Sequence, residues 1–331
     1  MMSRLLHVAN GSSVTDTLAL TGIPGLRLIW ADPLHEGPVP SGLTDDELVE
    51  VRTRYLLRFA VADSDRSNDL RRWRESIDNH SAYDEIVLWF EHDLFDQLNL
   101  IQLLSYLRSR LPVGNNKAPR KGVPYKAVTL ICIGSFPGRP DFHGLGELSA
   151  PELASLFDTR RPVTDAEYTL AENAWRAFRE PTPEALDRLR QSDMSAMPYL
   201  ARALGRFLEN YPSTRDGLSR SERRLLELAG DGLSFASAFP RMNDGEDAHY
   251  ITDVSFMTLI DELSATSPPL LEVVDRILRL TDEGRDVLGG RKDRVSYGLD
   301  RWMGGVRLKS GETPMWRWNE ASNKCQLSSD K

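Results

Sequence analysis

The stretch Glu85–Leu104 is the part of the sequence that most constrains the fold. It opens with the apolar run Ile86–Phe90, which predicts a buried strand, and it continues with apolar residues at helical spacing. These helical positions are Phe95, Leu98, Ile101 and Leu104. A buried strand that leads into an amphipathic helix is half of a βαβ unit. The turn between strand and helix contains three ionisable residues, Glu91, His92 and Asp93. Because open parallel sheets bind ligands at the carboxyl ends of their strands, this turn predicts the position of a site.

Three other apolar runs predict strands of the same sheet, namely Leu5–Ala9, Leu26–Trp30 and Ala127–Gly134. Helical patterns separate these runs, and several of the helices begin with the spacing of a capping box. The capping pairs are Ser13 with Asp16, Thr44 with Glu47, and Ser149 with Glu152. Gly22 fits the left-handed position that ends a helix. Strands that alternate with helices predict a Rossmann-like α/β domain over residues 1–160, with a mainly parallel sheet and helices on both faces.

The rest of the chain predicts two further segments. Residues 161–217 carry helical patterns and predict a helical connector that ends in the polar loop 212–217. Residues 218–331 predict three helices, the first capped by Ser219 and Glu222, followed by a two-stranded ribbon. The ribbon strands are Leu270–Val274 and Ile277–Thr281. This order is typical of a winged helix, so we predict a winged-helix-like α+β module. Near its end, Gly304 and Gly305 predict a close approach of another backbone segment.

Composition limits the classes of protein that the chain can belong to. The 331 residues carry a net charge of −8, so the molecule as a whole has no electrostatic preference for nucleic acid or anionic membrane. No apolar run is long enough for a membrane helix, and the N-terminus does not have the pattern of a signal peptide. The two cysteines, Cys132 and Cys325, belong to no metal or redox spacing. These features predict a cytoplasmic protein without a membrane partner.

Polar residues follow the end of each predicted strand, which predicts one crevice at one sheet edge. The candidate catalytic residues are Asp32, Glu36, His92 and Asp93. The candidate ligand-binding residues are His7, Asn10, Gly11, Ser12, Ser13, Glu91 and Gln97. We expect Asn10, Asp32, Glu36, His92 and Asp93 to line one pocket.

Each candidate also has an ordinary structural interpretation. The turn Asn10–Ser13 precedes a helix, where free N–H groups and the helix dipole favour an anion, although Ser residues begin many helices. His7 follows the pattern of a core histidine with satisfied ring nitrogens. Asp32 and Glu36 suit acid–base chemistry or turn capping, and Asp93 suits a helix N-cap. No HExxH or CxxC spacing is present, so no metal site is predicted, and the cofactor is left open.

The winged-helix-like module has an acidic balance that does not favour nucleic acid. The candidate recognition helix lies within Val254–Leu263 and contains acidic residues but no Lys or Arg. Residues 219–331 contain 16 Lys and Arg against 19 Asp and Glu, which is a net charge of −3. Local contacts from Arg220, Arg223 and Arg224 remain compatible with DNA binding, but the composition favours a packing or partner module.

Several motifs resemble a known family. HVANGSSV, WADPLHEGPV and LWFEHDLFDQLNLIQLL resemble the N-terminal domain of a bacterial family named domain of unknown function 1835. LSRSERRLLE and LTDEGRDVLGG, together with DRWMGGVRL, look like the C-terminal module that accompanies that domain. The resemblance implies a bacterial cytoplasmic protein. It brings no established activity and no assigned catalytic residue.

These observations lead to three functional hypotheses. The first is a site for a phosphorylated or nucleotide-like small molecule at the sheet edge, with hydrolysis or group transfer as the reaction class if the protein is an enzyme. The second is a transcriptional regulator that binds DNA through the winged-helix-like module and senses an effector through the α/β domain. The third is a protein-interaction adaptor. The sequence does not decide whether the protein is an enzyme, and it does not predict an oligomeric state.

Overall fold

A computed structural model describes residues 4–58, 68–110, 127–312 and 314–328. The chain forms two compact units that are not consecutive in sequence. The first unit comprises residues 1–35, 42–177 and 192–203, and the second comprises 36–41, 178–191 and 204–331. The segment 161–217, predicted as one helical connector, is thus divided between the two units.

The elements run as follows in chain order. Up to the start of the second unit's main segment they are β1 (Leu5–Ala9), α1 (Ser12–Leu20), β2 (Leu26–Ile29), β3 (Gly37–Pro38), α2 (Asp45–Leu56), α3 (Asp69–Asp78), β4 (Glu85–Glu91), α4 (Leu94–Arg110), β5 (Ala127–Ile133), α5 (Ala150–Ser155), β6 (Arg161–Pro162), α6 (Asp165–Phe178), α7 (Glu184–Leu189) and α8 (Leu200–Leu208). The remainder are α9 (Arg220–Gly230), α10 (Phe235–Met242), α11 (Asp253–Ser264), β7 (Leu271–Val274), β8 (Ile277–Leu280), α12 (Asp282–Leu288), β9 (Asp300–Gly304), β10 (Val306–Lys309), β11 (Trp316–Asn319) and β12 (Lys324–Leu327).

The first unit contains a five-stranded sheet with the order β2-β1-β4-β5-β6. The strands from β2 to β5 pair in parallel, whereas the two-residue edge strand β6 pairs antiparallel to β5. The prediction of an α/β fold with a mainly parallel sheet is therefore confirmed. The edge strand β6 was not predicted, because two residues form no recognisable apolar run.

The central strand β4 is covered on both sides. Its residues Ile86 to Glu91 are all buried, and successive side chains of a strand point to opposite faces of the sheet. On one face, Val87 and Trp89 pack in an apolar cluster with Val14 and Leu18 of α1. The same cluster includes Leu145, Leu148 and Leu153, from a short 3-10 helix at Leu145–Glu147 and from the chain that leads through α5.

Most predicted helix signals are present, but the start of α1 differs. Thr44 caps α2, Ser149 caps α5 and Ser219 caps α9, each with the predicted Glu three residues later. Gly22 lies just beyond α1 with a φ of 77°, as predicted. The predicted Ser13 cap is wrong, because α1 begins at Ser12 and its N-cap is Gly11, which provides no side-chain hydrogen bond.

The second unit follows the predicted order of three helices, α9 to α11, and then the antiparallel ribbon β7–β8. The two-residue turn of the ribbon places Asp275 and Arg276 at φ values of 52° and 62°, which matches the twist of the flanking strands. The predicted close backbone approach is present, because a Cβ at Gly305 would collide with the carbonyl oxygen of Arg179. Among the described residues, no helix combines the length and apolar character that crossing a membrane requires.

Candidate functional site

The turn after β4 brings three acidic side chains together. Asp93 accepts a hydrogen bond through Oδ1 from the backbone N–H of Asp96 at 2.6 Å, so Asp93 is the N-cap of α4. The Asp96 carboxylate accepts the backbone N–H of Glu91 through Oδ1 at 2.8 Å. These bonds fold the turn back on itself. As a result, Glu91, Asp93 and Asp96 each offer a carboxylate oxygen, and these oxygens lie within 4.8 Å of one another.

The position of this carboxylate cluster in the sheet is the place where α/β sheets bind ligands. The chain passes from β1 to β2 on one side of β1 and then crosses to β4 on its other side. The strand order therefore reverses between β1 and β4, and open α/β sheets form a ligand crevice at such a reversal, beyond the carboxyl ends of the strands. Glu91 is the last residue of β4, and Asn10 follows the last residue of β1.

Asn10 connects the two strand ends. Its side-chain amide donates to Oδ2 of Asp96 and also hydrogen-bonds the Glu91 carboxylate. Because an Asn side chain has two N–H donors, one amide can serve two acceptors. Asn10 is thereby part of the cluster, as the sequence predicted for Asn10 and Asp93 together.

A distant segment covers Glu91. The backbone N–H of Leu145 donates to Oε2 of Glu91, and the preceding residue is Gly144. A Cβ built at Gly144 would collide with the Glu91 carboxylate, so only glycine allows the backbone this close. Gly146 lies in turn against Ser13, at the start of α1, where an added Cβ would be 3.2 Å from the Ser13 Cβ.

The environment of the cluster favours the neutral form of each acid. Glu91, Asp93 and Asp96 are only 6%, 5% and 0% exposed. Burial, and next the charge of Asp93, raise the pKa of Glu91 to about 8. Burial raises the pKa of Asp93 to about 7, against the opposing hydrogen bonds from backbone N–H groups and the nearby His35. Burial, followed by the charges of Asp93 and Glu91, raises the pKa of Asp96 well above its ordinary value. At neutral pH the cluster therefore holds protons or requires a cation.

Asp32 has a different role from the one predicted. Its carboxylate accepts hydrogen bonds from Nε and Nη2 of Arg52, at 3.0 Å and 2.6 Å, and both side chains are buried. Its backbone N–H and C=O bond the side-chain amide of Asn99 at 3.0 Å and 2.8 Å. Asn99 lies one helical turn after Asp96, so these bonds attach the turn after β2 to the same face of α4. The predicted catalytic role for Asp32 is not supported, because Arg52 occupies its carboxylate.

The two other predicted catalytic residues lie outside the three clustered carboxylates. Glu36 belongs to the second unit. His92 is in the turn, but its ring lies 6.2 Å from that of Phe142 and 5.9 Å from that of Tyr199, measured between centroids. These rings hold the His92 imidazole by packing. The structure therefore brings Asn10 and Asp93 together but does not add Asp32, Glu36 or His92 to their carboxylate cluster.

His7 and Gln97, predicted as ligand-binding residues, stabilise the interior. Trp89 donates its indole N–H to Nδ1 of His7 at 3.1 Å, and Nε2 of His7 lies 3.1 Å from the carbonyl oxygen of Pro24. Both ring nitrogens are thus used, and burial lowers the pKa of His7. Gln97 donates to the carbonyl oxygen of Glu91 at 2.6 Å and fixes the turn from within.

The start of α1 offers backbone donors next to Asn10. Ser12 and Ser13 are exposed in the first turn of α1, and no side chain caps this helix. A Cβ built at Gly11 would meet nothing within 4 Å, so there is open space beside the N-cap. Uncapped N–H groups and the positive end of the helix dipole favour an anion at such a position.

Sequence analysis missed two members of this region. Asp96 lies in the first turn of α4, where an acidic residue is ordinary, and its clustering depends on how the turn folds. The Leu145 amide reaches Glu91 across 54 residues of chain, and no local pattern signals that contact. The spacing of Asp93 and Asp96, three residues apart beside Glu91, was the available signal.

Comparison with known proteins adds no assignment. The sequence matches no protein-family model, and a search of curated proteins finds no match. The resemblance to the family with domain of unknown function 1835 therefore stays a prediction.

Proposed function

We propose that the first unit binds a phosphorylated or nucleotide-like small molecule together with a divalent cation, at the edge of its parallel sheet. The observation that carries the proposal is the cluster of Glu91, Asp93 and Asp96 at the reversal of strand order. Carboxylate oxygens are the ligands that Mg²⁺ and Mn²⁺ prefer, and a cation removes the repulsion among three buried acids. Magnesium is typically held by one or two carboxylates and by the phosphate of the ligand.

The start of α1 supports a phosphate as the second partner. Asn10 hydrogen-bonds two of the acids and is followed directly by Gly11 and the exposed Ser12 and Ser13. A cation at the carboxylates and the N–H groups of α1 would act on the same phosphate, because Asn10 links the cluster to this helix. A bound cation with a polarised phosphate is the arrangement used in hydrolysis and group transfer, so we favour these reaction classes.

The proposal is tested by titrating the full-length protein with Mn²⁺, followed by electron paramagnetic resonance, with and without inorganic pyrophosphate. We expect one Mn²⁺ per chain, and tighter pyrophosphate binding when Mn²⁺ is present. Asp93→Asn should lose Mn²⁺ binding, since Asn preserves the cap but not the charge. Asp193→Asn is the matched control, because Asp193 also accepts a backbone N–H, from Ser195 at 2.9 Å, but is exposed. Equal Mn²⁺ binding by the two variants would reject the proposal.

A DNA-binding regulator is the second candidate, and the order of α9 to α11 and the β7–β8 ribbon is what favours it. The arginines at the start of α9 argue against it. Arg220 pairs with Glu209 at 2.7 Å, Arg223 pairs with Asp216, and Arg224 donates to the carbonyl oxygen of Arg241 at 3.0 Å. We expect weak, salt-sensitive binding without sequence preference in anisotropy titrations. A specific complex at about 10⁻⁸ M or tighter would favour the regulator instead.

A further inference from the structure

The second unit contains a cavity that the proposed function does not use. Its volume is about 250 Å³, and its lining combines acidic, basic and apolar side chains. The lining includes Glu209, Leu218, Arg220, Arg223, Trp318 and Glu320. Ligand pockets for drug-sized molecules measure roughly 300–1,000 Å³, so this cavity suits a smaller molecule.

The charges of the lining are balanced. Two arginines, Arg220 and Arg223, stand against two glutamates, Glu209 and Glu320. Arg220 and Glu209 form an ion pair at 2.7 Å, and Arg223 pairs with Asp216, which lies outside the lining. Glu320 is exposed and forms no ion pair with a described residue. A phosphate or another polyanion would be repelled by the glutamates, and a polyamine would be repelled by the arginines. A molecule with one positive and one negative group is attracted to both kinds of lining charge.

The remaining wall is apolar and provides one further donor. Trp318 and Leu218 are buried, at 4% and 1% exposure, although both line the cavity. The Trp318 ring is held beneath the guanidinium of Arg190, whose Cζ lies 5.5 Å from the ring centroid. The indole N–H makes no hydrogen bond to a described residue, and a buried indole N–H ordinarily has an acceptor. A ligand carboxylate would supply this acceptor.

We propose that this cavity binds a free amino acid as a zwitterion. Its carboxylate interacts with Arg223 and the Trp318 N–H, its ammonium group with Glu320, and its side chain with the indole and Leu218. The small volume, the balanced charges and the buried indole donor each favour this class of ligand over a nucleotide or a polyamine. The proposal is independent of the cation site in the first unit.

The test is ligand-observed NMR on the full-length protein with each proteinogenic L-amino acid in turn. The tightest binder is then compared with its decarboxylated amine and its deaminated acid. We expect at least one amino acid to bind, and each analogue to bind about two- to five-fold more weakly, the range for one partly exposed ion pair. If no amino acid binds, or if either analogue binds as well as the amino acid, the proposal is rejected.

A matched pair of variants assigns the ammonium group. Glu320→Gln should weaken binding of the amino acid about two- to five-fold and leave binding of the deaminated acid unchanged. Glu272→Gln removes an exposed glutamate from β7, outside the lining, and should change neither. Because Glu320 is exposed, we expect Glu320→Gln to unfold at the same temperature as the wild type. Equal affinities for Glu320→Gln and Glu272→Gln would contradict the proposed orientation.

Discussion

Removal of one buried charge should stabilise this protein. We predict that Asp93→Asn raises the unfolding temperature of the cation-free protein near pH 8. Asp93 is the N-cap of α4, and Asn caps a helix about as well as Asp, so the cap itself is preserved. The substitution removes an acid whose ionisation is disfavoured by burial and which raises the pKa of both Glu91 and Asp96. A residue that only capped the helix would give no such gain.

The magnitude follows from the pKa of Asp93, which is raised from 3.8 to about 7. A raised pKa means that the folded state binds the proton more tightly than the unfolded state. Stability is therefore present in full below the unfolded pKa and is lost as the pH rises through the folded pKa. The loss at high pH is on the order of 4 kcal/mol for such a difference, and structural relaxation reduces it. We expect a gain on the order of 1–4 kcal/mol from Asp93→Asn, which is roughly 2–4 °C in Tm for each kcal/mol in a unit of this size.

The assay is thermal unfolding at about pH 8, with EDTA and then with excess MgCl₂. The wild type should gain stability from Mg²⁺, whereas Asp93→Asn should be more stable than the wild type in EDTA and should not respond to Mg²⁺. Asp193→Asn serves as the control and should behave like the wild type. An Asp93→Asn protein that is less stable in EDTA and still responds to Mg²⁺ would refute this reasoning.

Three further predictions concern the surroundings of the cluster. Gly144→Ala should lower stability by about 1–3 kcal/mol in chemical denaturation, because its Cβ meets the Glu91 carboxylate. A loss below the error of the measurement would show that Glu91 moves freely. Asp32→Asn should cost about 3–5 kcal/mol, since it leaves the buried Arg52 without its charge partner. Asp84→Asn, which removes the exposed partner of Arg4, should cost only about 0–1 kcal/mol, and similar losses for both would contradict the burial argument. Finally, the raised pKa values of the three clustered acids should make cation-free stability fall between about pH 5 and about pH 8, and Mg²⁺ should reduce that fall. A flat profile would contradict the raised pKa values.

The sequence predicts the strands and the location of the site better than it predicts the members of the site. Apolar runs such as Ile86–Phe90 identify buried strands, because a strand covered on both faces needs apolar residues at every position. The turn after that strand was identified because ionisable residues there are at the sheet edge. Asp32 was misjudged because its partner, Arg52, lies 20 residues away on another element. Asp96 was missed because its clustering depends on the hydrogen bonds of the folded turn.

The start of α1 shows a second limit. Ser13 and Asp16 have capping-box spacing, but α1 begins one residue earlier, so Gly11 becomes the N-cap. The same spacing predicted α2 and α9 correctly, where Thr44 and Ser219 accept the expected N–H groups. A capping pattern therefore indicates that a helix begins nearby, and the flanking strand decides at which residue.

The most direct test of the cation site is a crystal structure of the protein soaked with Mn²⁺ and measured for anomalous scattering. Our account predicts one anomalous peak among Glu91, Asp93 and Asp96, at about 2.0–2.6 Å from their oxygens, the range for hard divalent cations. If saturating Mn²⁺ leaves the three carboxylates in place without an anomalous peak between them, the cluster binds protons and not a metal, and the proposed cation site is wrong.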